Sequence, residues 1–166
     1  MVRFLMLTLL FTACAKGDAE DASRTIDGMP APRDPSDGTC PELRESGTDT
    51  FSSSDSERIV TVVVPETIAE KMPFVFFFHG LLSPESTPRP TEYMANALRL
   101  QSLANEEGIV LVLPQSSIME RMMMQFFMWD IETAESDDMV LFDDLLACAY
   151  HYLRIDLTRV HAMGFS

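Results

Sequence analysis

Basic residues are scarce in this chain, which has 12 lysines and arginines against 26 aspartates and glutamates and a formal net charge of −14. A surface of that sign repels phosphate backbones, so the composition argues against a nucleic-acid partner. It also disfavours charge-driven binding to anionic lipid headgroups. Anionic substrates would be repelled at long range too, so neutral molecules or polymers fit better than free acids.

The N-terminal hydrophobic run, residues 4–13, is too short to span a bilayer, for which about 18 apolar residues are needed. It follows Arg3 and ends in small residues before Cys14, which is the layout of an export signal over residues 1–14. The sequence around Cys14 resembles a bacterial lipoprotein signal, in which this cysteine carries the lipid. An ordinary secretory signal with an incidental Cys14 is the alternative. Either signal exports the protein, as a cell-envelope lipoprotein or an extracellular protein, and we expect membrane contact only through the lipid anchor.

Cysteine is rare, with three in the chain. If Cys14 carries lipid, Cys40 and Cys148 remain as a pair that could form a disulfide in an oxidising compartment. Alternatively, Cys148 is a small buried residue of a helix and Cys40 is a free thiol of a polar segment. The sequence leaves both possibilities open, because it does not place the two sulfur atoms.

The polar, acidic and proline-containing segment 15–50 has no apolar periodicity, so we expect a flexible tether there and a folded domain over residues 51–166. Within the domain, β-branched and aromatic runs alternate with helical patterns, which predicts an α/β fold with a parallel sheet. The predicted order is a possible edge strand 48–51, strands 57–65 and 73–78, a helix 91–106, a strand 109–114, a long loop 115–135, a helix from Ser136 or Asp137, and a strand 159–163.

Three segments with chemically useful residues follow predicted strands. These are His79-Gly80, Pro114-Gln115 and Gly164-Phe165-Ser166. Active sites of parallel sheets lie at the carboxyl ends of the strands. The sequence therefore predicts a site where the three segments meet.

Residues 57–166 resemble α/β-hydrolases of the polyhydroxybutyrate depolymerase and feruloyl or acetylxylan esterase type. The resemblance is carried by residues 73–80, 103–115, Trp129 and 155–166, the last of which match the first half of a G-x-S-x-G nucleophile elbow. It implies the N-terminal part of that fold, with a mostly parallel sheet, helices on both faces, and the C-terminal part of the domain beyond residue 166.

The same resemblance assigns roles to individual residues. Ser166 would be the nucleophile, and the backbone N–H of Leu81 would donate a hydrogen bond to the oxyanion. His79 and Gly80 would shape the oxyanion loop. His79 is not the expected base, because the catalytic histidine of this fold follows the nucleophile in sequence. The histidine and the acid of the triad are therefore expected beyond residue 166.

A stretch rich in methionine and aromatic residues lies in the long loop after the 109–114 strand. Its members Phe127, Met128 and Trp129 could form a wall of the acyl pocket, since methionine adapts to irregular apolar groups. The alternative is that they fill the core beneath the loop. Trp129 matches an aromatic residue that the family often places in this region.

The function implied is a serine carboxylesterase or depolymerase that cleaves small or polymeric neutral esters through an acyl-enzyme. No cofactor is implied, and no two of the three histidines have metal-ligand spacing. The other readings are a non-catalytic surface lipoprotein that uses the fold for binding, and a serine peptidase or lipase of the same fold.

Overall fold

The computed structural model describes residues 25–26 and 29–165. The signal segment with Cys14 and the nucleophile candidate Ser166 lie outside the described residues. No helix within the described ranges is long and apolar enough to cross a membrane.

The described residues form seven strands and three α-helices, besides a two-residue ladder between Thr25–Ile26 and Met29–Pro30 and a 3₁₀ turn at Leu157–Arg159. In chain order the elements are β1 Gly47–Ser53, β2 Ser56–Val63, β3 Phe74–Phe78, α1 Pro90–Ala97, α2 Leu100–Glu107, β4 Val110–Pro114, β5 Ile118–Arg121, β6 Met124–Phe127, α3 Asp137–Leu153 and β7 Val160–Gly164.

A five-stranded sheet with the order β1-β2-β4-β3-β7 forms the centre of the domain. The strands β4, β3 and β7 are parallel, whereas β1 and β2 pair antiparallel. The parallel strands are joined through helices, as such connections require. Their carboxyl ends therefore share one edge of the sheet.

Helices cover both faces of this sheet, as the sequence predicts. On one face α3 packs with residues such as Leu141 and Leu145 against Phe74 and Phe76 of β3. On the other face α1 and α2 pack Met94, Leu100 and Ala104 against the sheet. Because β3 is covered on both sides, its sequence is apolar at consecutive positions.

Two predicted elements differ in the structure. The single helix expected over 91–106 is two helices, because Arg99 adopts a left-handed conformation (φ 53°) that interrupts the helical hydrogen bonds. Tyr93 and Ala97 of α1 are exposed, whereas Leu100 and Ala104 of α2 are buried. The loop expected over 115–135 contains a hairpin, β5–β6, whose apolar residues gave no clear alternation.

The N-terminal part of the domain is packed well upstream of residue 51. We call residues 35–46 the strap. A disulfide joins Cys40 to Cys148 of α3 with 5.6 Å between the Cα atoms, so the structure shows the pairing that the sequence left open. Leu43 is buried in the core, and Ser36 donates from its backbone N–H to Asp144 of α3 at 2.8 Å. The boundary predicted between tether and domain, at residue 50, is therefore too far along the chain. The strap already belongs to the packed domain, because these contacts hold it against α3.

Candidate active site

The ends of β3 and β7 lie side by side at the carboxyl edge of the sheet. Gly164 is paired with Phe78, and the Phe165 N–H donates to the Phe78 carbonyl oxygen at 2.9 Å. Residues 79–82, which we call the oxyanion loop, therefore begin beside the segment that leads into Ser166. This neighbourhood is what the elbow hypothesis requires, although Ser166 itself is outside the described residues.

His79 is buried, with 2% of its surface exposed, and both ring nitrogens are engaged. Nε2 accepts a hydrogen bond from the Ser116 N–H at 3.1 Å, so Nδ1 carries the proton and donates to the Gly80 carbonyl oxygen at 2.8 Å. Burial lowers the pKa of His79, and the bond to Gly80 and the charge of Asp138 oppose that shift. A neutral ring held at both nitrogens is suited to fixing a loop in place.

Trp129 and Phe127 support the oxyanion loop. The indole Nε1 of Trp129 donates to the His79 carbonyl oxygen at 2.8 Å, and the two ring centroids are 4.9 Å apart. The Phe127 N–H donates to the Leu82 carbonyl oxygen at 2.8 Å. The end of the β5–β6 hairpin is thereby fastened to the loop.

An apolar cleft of about 310 Å³ opens beside the loop. It is lined by Gly80, Leu81, Leu82, Tyr93, Met94, Ala97, Leu98 and Phe165. Phe127, Met128 and Trp129, the candidate pocket wall, do not line this cleft. The sequence missed Tyr93, Ala97 and Leu98, because their place beside residues 80–82 depends on how α1 packs in the fold.

Leu81 lies at the boundary between the loop and this cleft, with its side chain 63% exposed. Within the described residues its backbone N–H donates no hydrogen bond. The Leu81 amide therefore lies beside the apolar cleft and close in sequence to Phe78, the residue paired with Gly164.

A buried ion pair between Arg58 of β2 and Asp138 of α3 lies close to the site. Asp138 Oδ2 also accepts from the Asp130 N–H at 2.7 Å, directly after Trp129 in the chain. Sequence reasoning missed this pair. The available signal was a lone arginine in the apolar run of β2 and two aspartates at the start of α3.

Among the described residues, no group of three or more histidine, cysteine or acidic side chains is arranged to hold a metal ion. The polar groups of the edge are hydrogen-bonded to each other instead.

No protein-family model and no curated protein sequence matches the chain. Solved structures do match. Native sOPH aligns at a TM-score of 0.55 with 18% identity, over 76% of this chain and 46% of its own. The complex of a pOPH variant with pNPB aligns at 0.51 with 12% identity, over 72% and 42%. An S-formylglutathione hydrolase from Agrobacterium tumefaciens aligns at a TM-score of 0.47 with 23% identity, over 72% of this chain and 48% of its own.

The chain has the α/β-hydrolase fold. It spans less than half the length of each of the three matching structures. At such identities the similarity concerns the fold alone. Activity has to be argued from the site.

Proposed function

We propose that this chain supplies the nucleophile and the oxyanion loop of a serine ester hydrolase. The observation that carries the proposal is the pairing of β3 with β7 up to Phe78 and Gly164. It brings the free N–H of Leu81 to the same edge of the sheet as the approach to Ser166. In the reaction, Ser166 would attack the ester carbonyl while the triad histidine expected downstream takes its proton, and the Leu81 amide would stabilise the resulting oxyanion. The alcohol would leave with that proton to give the acyl-enzyme, and water would then release the acid and restore the serine hydroxyl.

The triad histidine and acid are expected in the full-length protein C-terminal to Ser166. His79 does not serve as the base in this proposal, because its Nε2 is occupied by the Ser116 N–H and its Nδ1 by the Gly80 carbonyl. Its part is to hold the loop that presents Leu81.

The proposed substrates are neutral esters with an apolar group, small or polymeric. The cleft beside Leu81 is walled mainly by apolar side chains, and its volume of about 310 Å³ lies at the lower end for small-molecule sites. The net charge of −14 disfavours anionic substrates. A polyhydroxybutyrate depolymerase or feruloyl esterase activity, export, and a lipid anchor at Cys14 belong to the same proposal and rest on the sequence.

A fluorophosphonate probe on the full-length protein tests the nucleophile. We expect covalent labelling of the wild type at Ser166, located by mass spectrometry of the digested protein, and loss of labelling in Ser166→Ala. Ser102→Ala, at an exposed serine of α2, is the matched control and should label as the wild type does. Absence of labelling in a folded wild-type protein would contradict the proposal and favour a binding function.

A further inference from the structure

We propose that Arg58 is a positioning residue for the oxyanion loop, acting from β2 on both of the groups that hold His79. The inference rests on the proposed function, because the position of the loop matters for catalysis only if the loop presents an amide to the substrate. Arg58 makes no hydrogen bond to the described residues of the loop and does not line the cleft. Its effect would be transmitted through two short chains of hydrogen bonds.

The guanidinium of Arg58 is buried, with 4% of its side chain exposed. One of its nitrogens is the starting point of both chains of hydrogen bonds. Nη2 donates to Asp138 Oδ1 and, at 3.4 Å, to the Gln115 carbonyl oxygen. The adjacent strand residue adds a third tie, since the Gln115 N–H donates to the Ile59 carbonyl oxygen at 2.9 Å. Strand β2 thereby fixes the start of α3 and the segment after β4 relative to each other.

The first chain passes through α3. The second oxygen of Asp138 accepts from the Asp130 N–H at 2.7 Å. The neighbouring residue, Trp129, donates from its indole to the His79 carbonyl oxygen at 2.8 Å. A displacement of Asp138 would therefore reach the backbone of the oxyanion loop through Trp129.

The second chain passes through the segment after β4. Gln115 is followed by Ser116, whose N–H donates to His79 Nε2 at 3.1 Å. Both chains thus begin at Arg58 and end on the same residue, one at its carbonyl oxygen and the other at its ring. His79 in turn precedes Gly80 and Leu81, the residues beside the cleft.

A purely structural ion pair would act differently. Replacing a buried pair by apolar side chains of similar size often leaves a fold stable. If the pair only stabilised the core, the double variant R58M/D138L would fold and would leave the site unchanged. If Arg58 positions the loop, the same variant would fold but free the Asp130 N–H and the Gln115 carbonyl oxygen, and so loosen Trp129 and Ser116.

The test uses the full-length protein with two readouts. The first is acrylamide quenching of the Trp129 emission, with W129F identifying that signal. The second is kcat and KM for a neutral ester. In R58M/D138L we expect quenching to increase towards that of free indole. We expect kcat to fall by about 10- to 100-fold with KM changed less than about threefold, because misplacement by about 1 Å can cost on the order of 100-fold in rate. The variant R58K, which keeps a charged donor, should recover part of both losses.

Asp144→Asn is the matched control, since Asp144 is equally buried in α3 but its contacts go to the strap and β1. It should leave quenching and kcat per folded molecule unchanged. Wild-type quenching and wild-type kcat in R58M/D138L would overturn the positioning role. A wild-type protein without esterase activity would overturn the proposed function instead, and the quenching comparison would still decide whether the Arg58–Asp138 pair holds Trp129.

Discussion

Two buried carboxylates on the same helix, Asp138 and Asp144, have different partners. Both are 3% exposed. Asp138, in the first turn of α3, pairs with Arg58 and accepts from the Asp130 N–H. Asp144, further along the helix, accepts from the Ser36 N–H and from the hydroxyls of Ser36 and Ser53. The first thus connects segments of the site edge, and the second connects the strap to the domain.

The position of each carboxylate along α3 determines whether it holds the edge of the site or the strap. A buried charge is costly unless its hydrogen-bonding capacity is filled, so each carboxylate fixes whichever segments surround it. Near the carboxyl edge of the sheet those segments carry Trp129 and Ser116, which hold the oxyanion loop. Away from that edge they belong to the strap, which the Cys40–Cys148 disulfide also ties to α3. We therefore expect damage to the strap region to change stability, and damage to the edge region to change activity.

The disulfide gives the largest expected effect. It closes a loop with a sequence separation of 108, and for a loop of about 100 residues the chain-entropy argument gives about 4.7 kcal/mol of stabilisation. In C40S/C148S we expect the free energy of unfolding, measured by urea titration with circular dichroism, to fall by about 3–5 kcal/mol. Trp129 quenching in the folded variant should be unchanged. A C40S/C148S protein with wild-type stability but altered quenching would contradict this expectation, because it would show that the strap affects the site and not the stability of the domain.

The parts of this molecule that were predictable from sequence are those in which the residue types depend on the local backbone conformation or on local burial. The run of β3 is apolar throughout because both faces are covered, and Gly108 ends α2 in a left-handed conformation (φ 62°) that glycine adopts readily. Likewise, two aspartates mark the start of α3.

The remaining features depend on partners distant in the chain. Arg58 in a strand would be taken for a solvent-facing residue, and Asp138 for a residue that favours the helix dipole, until the fold brings the two together. Cys40 lies in a segment without apolar periodicity, so nothing local places it beside α3. The oxyanion loop was predictable in position, from His79-Gly80 after a strand, but its supports at Ser116 and Trp129 were not, because those contacts are made by loops.

At the edge of the site, the expected effect is a pH dependence of the free energy of unfolding that comes from His79. Its pKa is lowered in the folded protein, chiefly by burial, so below pH 6.5 the unfolded chain binds a proton that the folded chain resists. The free energy of unfolding should therefore fall as the pH drops below 6.5, with a slope of at most about 1.4 kcal/mol per pH unit from this group. Above pH 6.5 this contribution is constant.

In His79→Gln that part of the pH dependence should disappear, as measured by urea titrations between pH 7 and 5. His151→Gln is the control, since the His151 side chain is 44% exposed and lies 3.7 Å from Asp34 near the strap. It should keep the slope due to His79. Equal slopes in the wild type and His79→Gln would mean that the pKa of His79 is the same in the folded and unfolded chain. That would contradict the burial of its ring, whose two nitrogens are both hydrogen-bonded.

The smallest expected effect comes from two turns that differ in their surroundings. Each consists of two residues with positive φ, Ser54 and Asp55 between β1 and β2, and Met122 and Met123 between β5 and β6. Such turns favour Asn-Gly. The methionines are 90% and 93% exposed, whereas the Ser54 N–H donates to Ser36 of the strap and the Ser54 hydroxyl to Asp137.

Replacing Met122 and Met123 by Asn and Gly should therefore raise the free energy of unfolding by about 0.5–1 kcal/mol, because it relieves backbone strain and sacrifices no contact of comparable strength. The same exchange at Ser54 and Asp55 should gain less or nothing, since the lost hydroxyl contact offsets the relief. Urea titrations of both variants measure the difference. Equal gains at the two turns would mean that the hydrogen bond from the Ser54 hydroxyl to Asp137 contributes little stability.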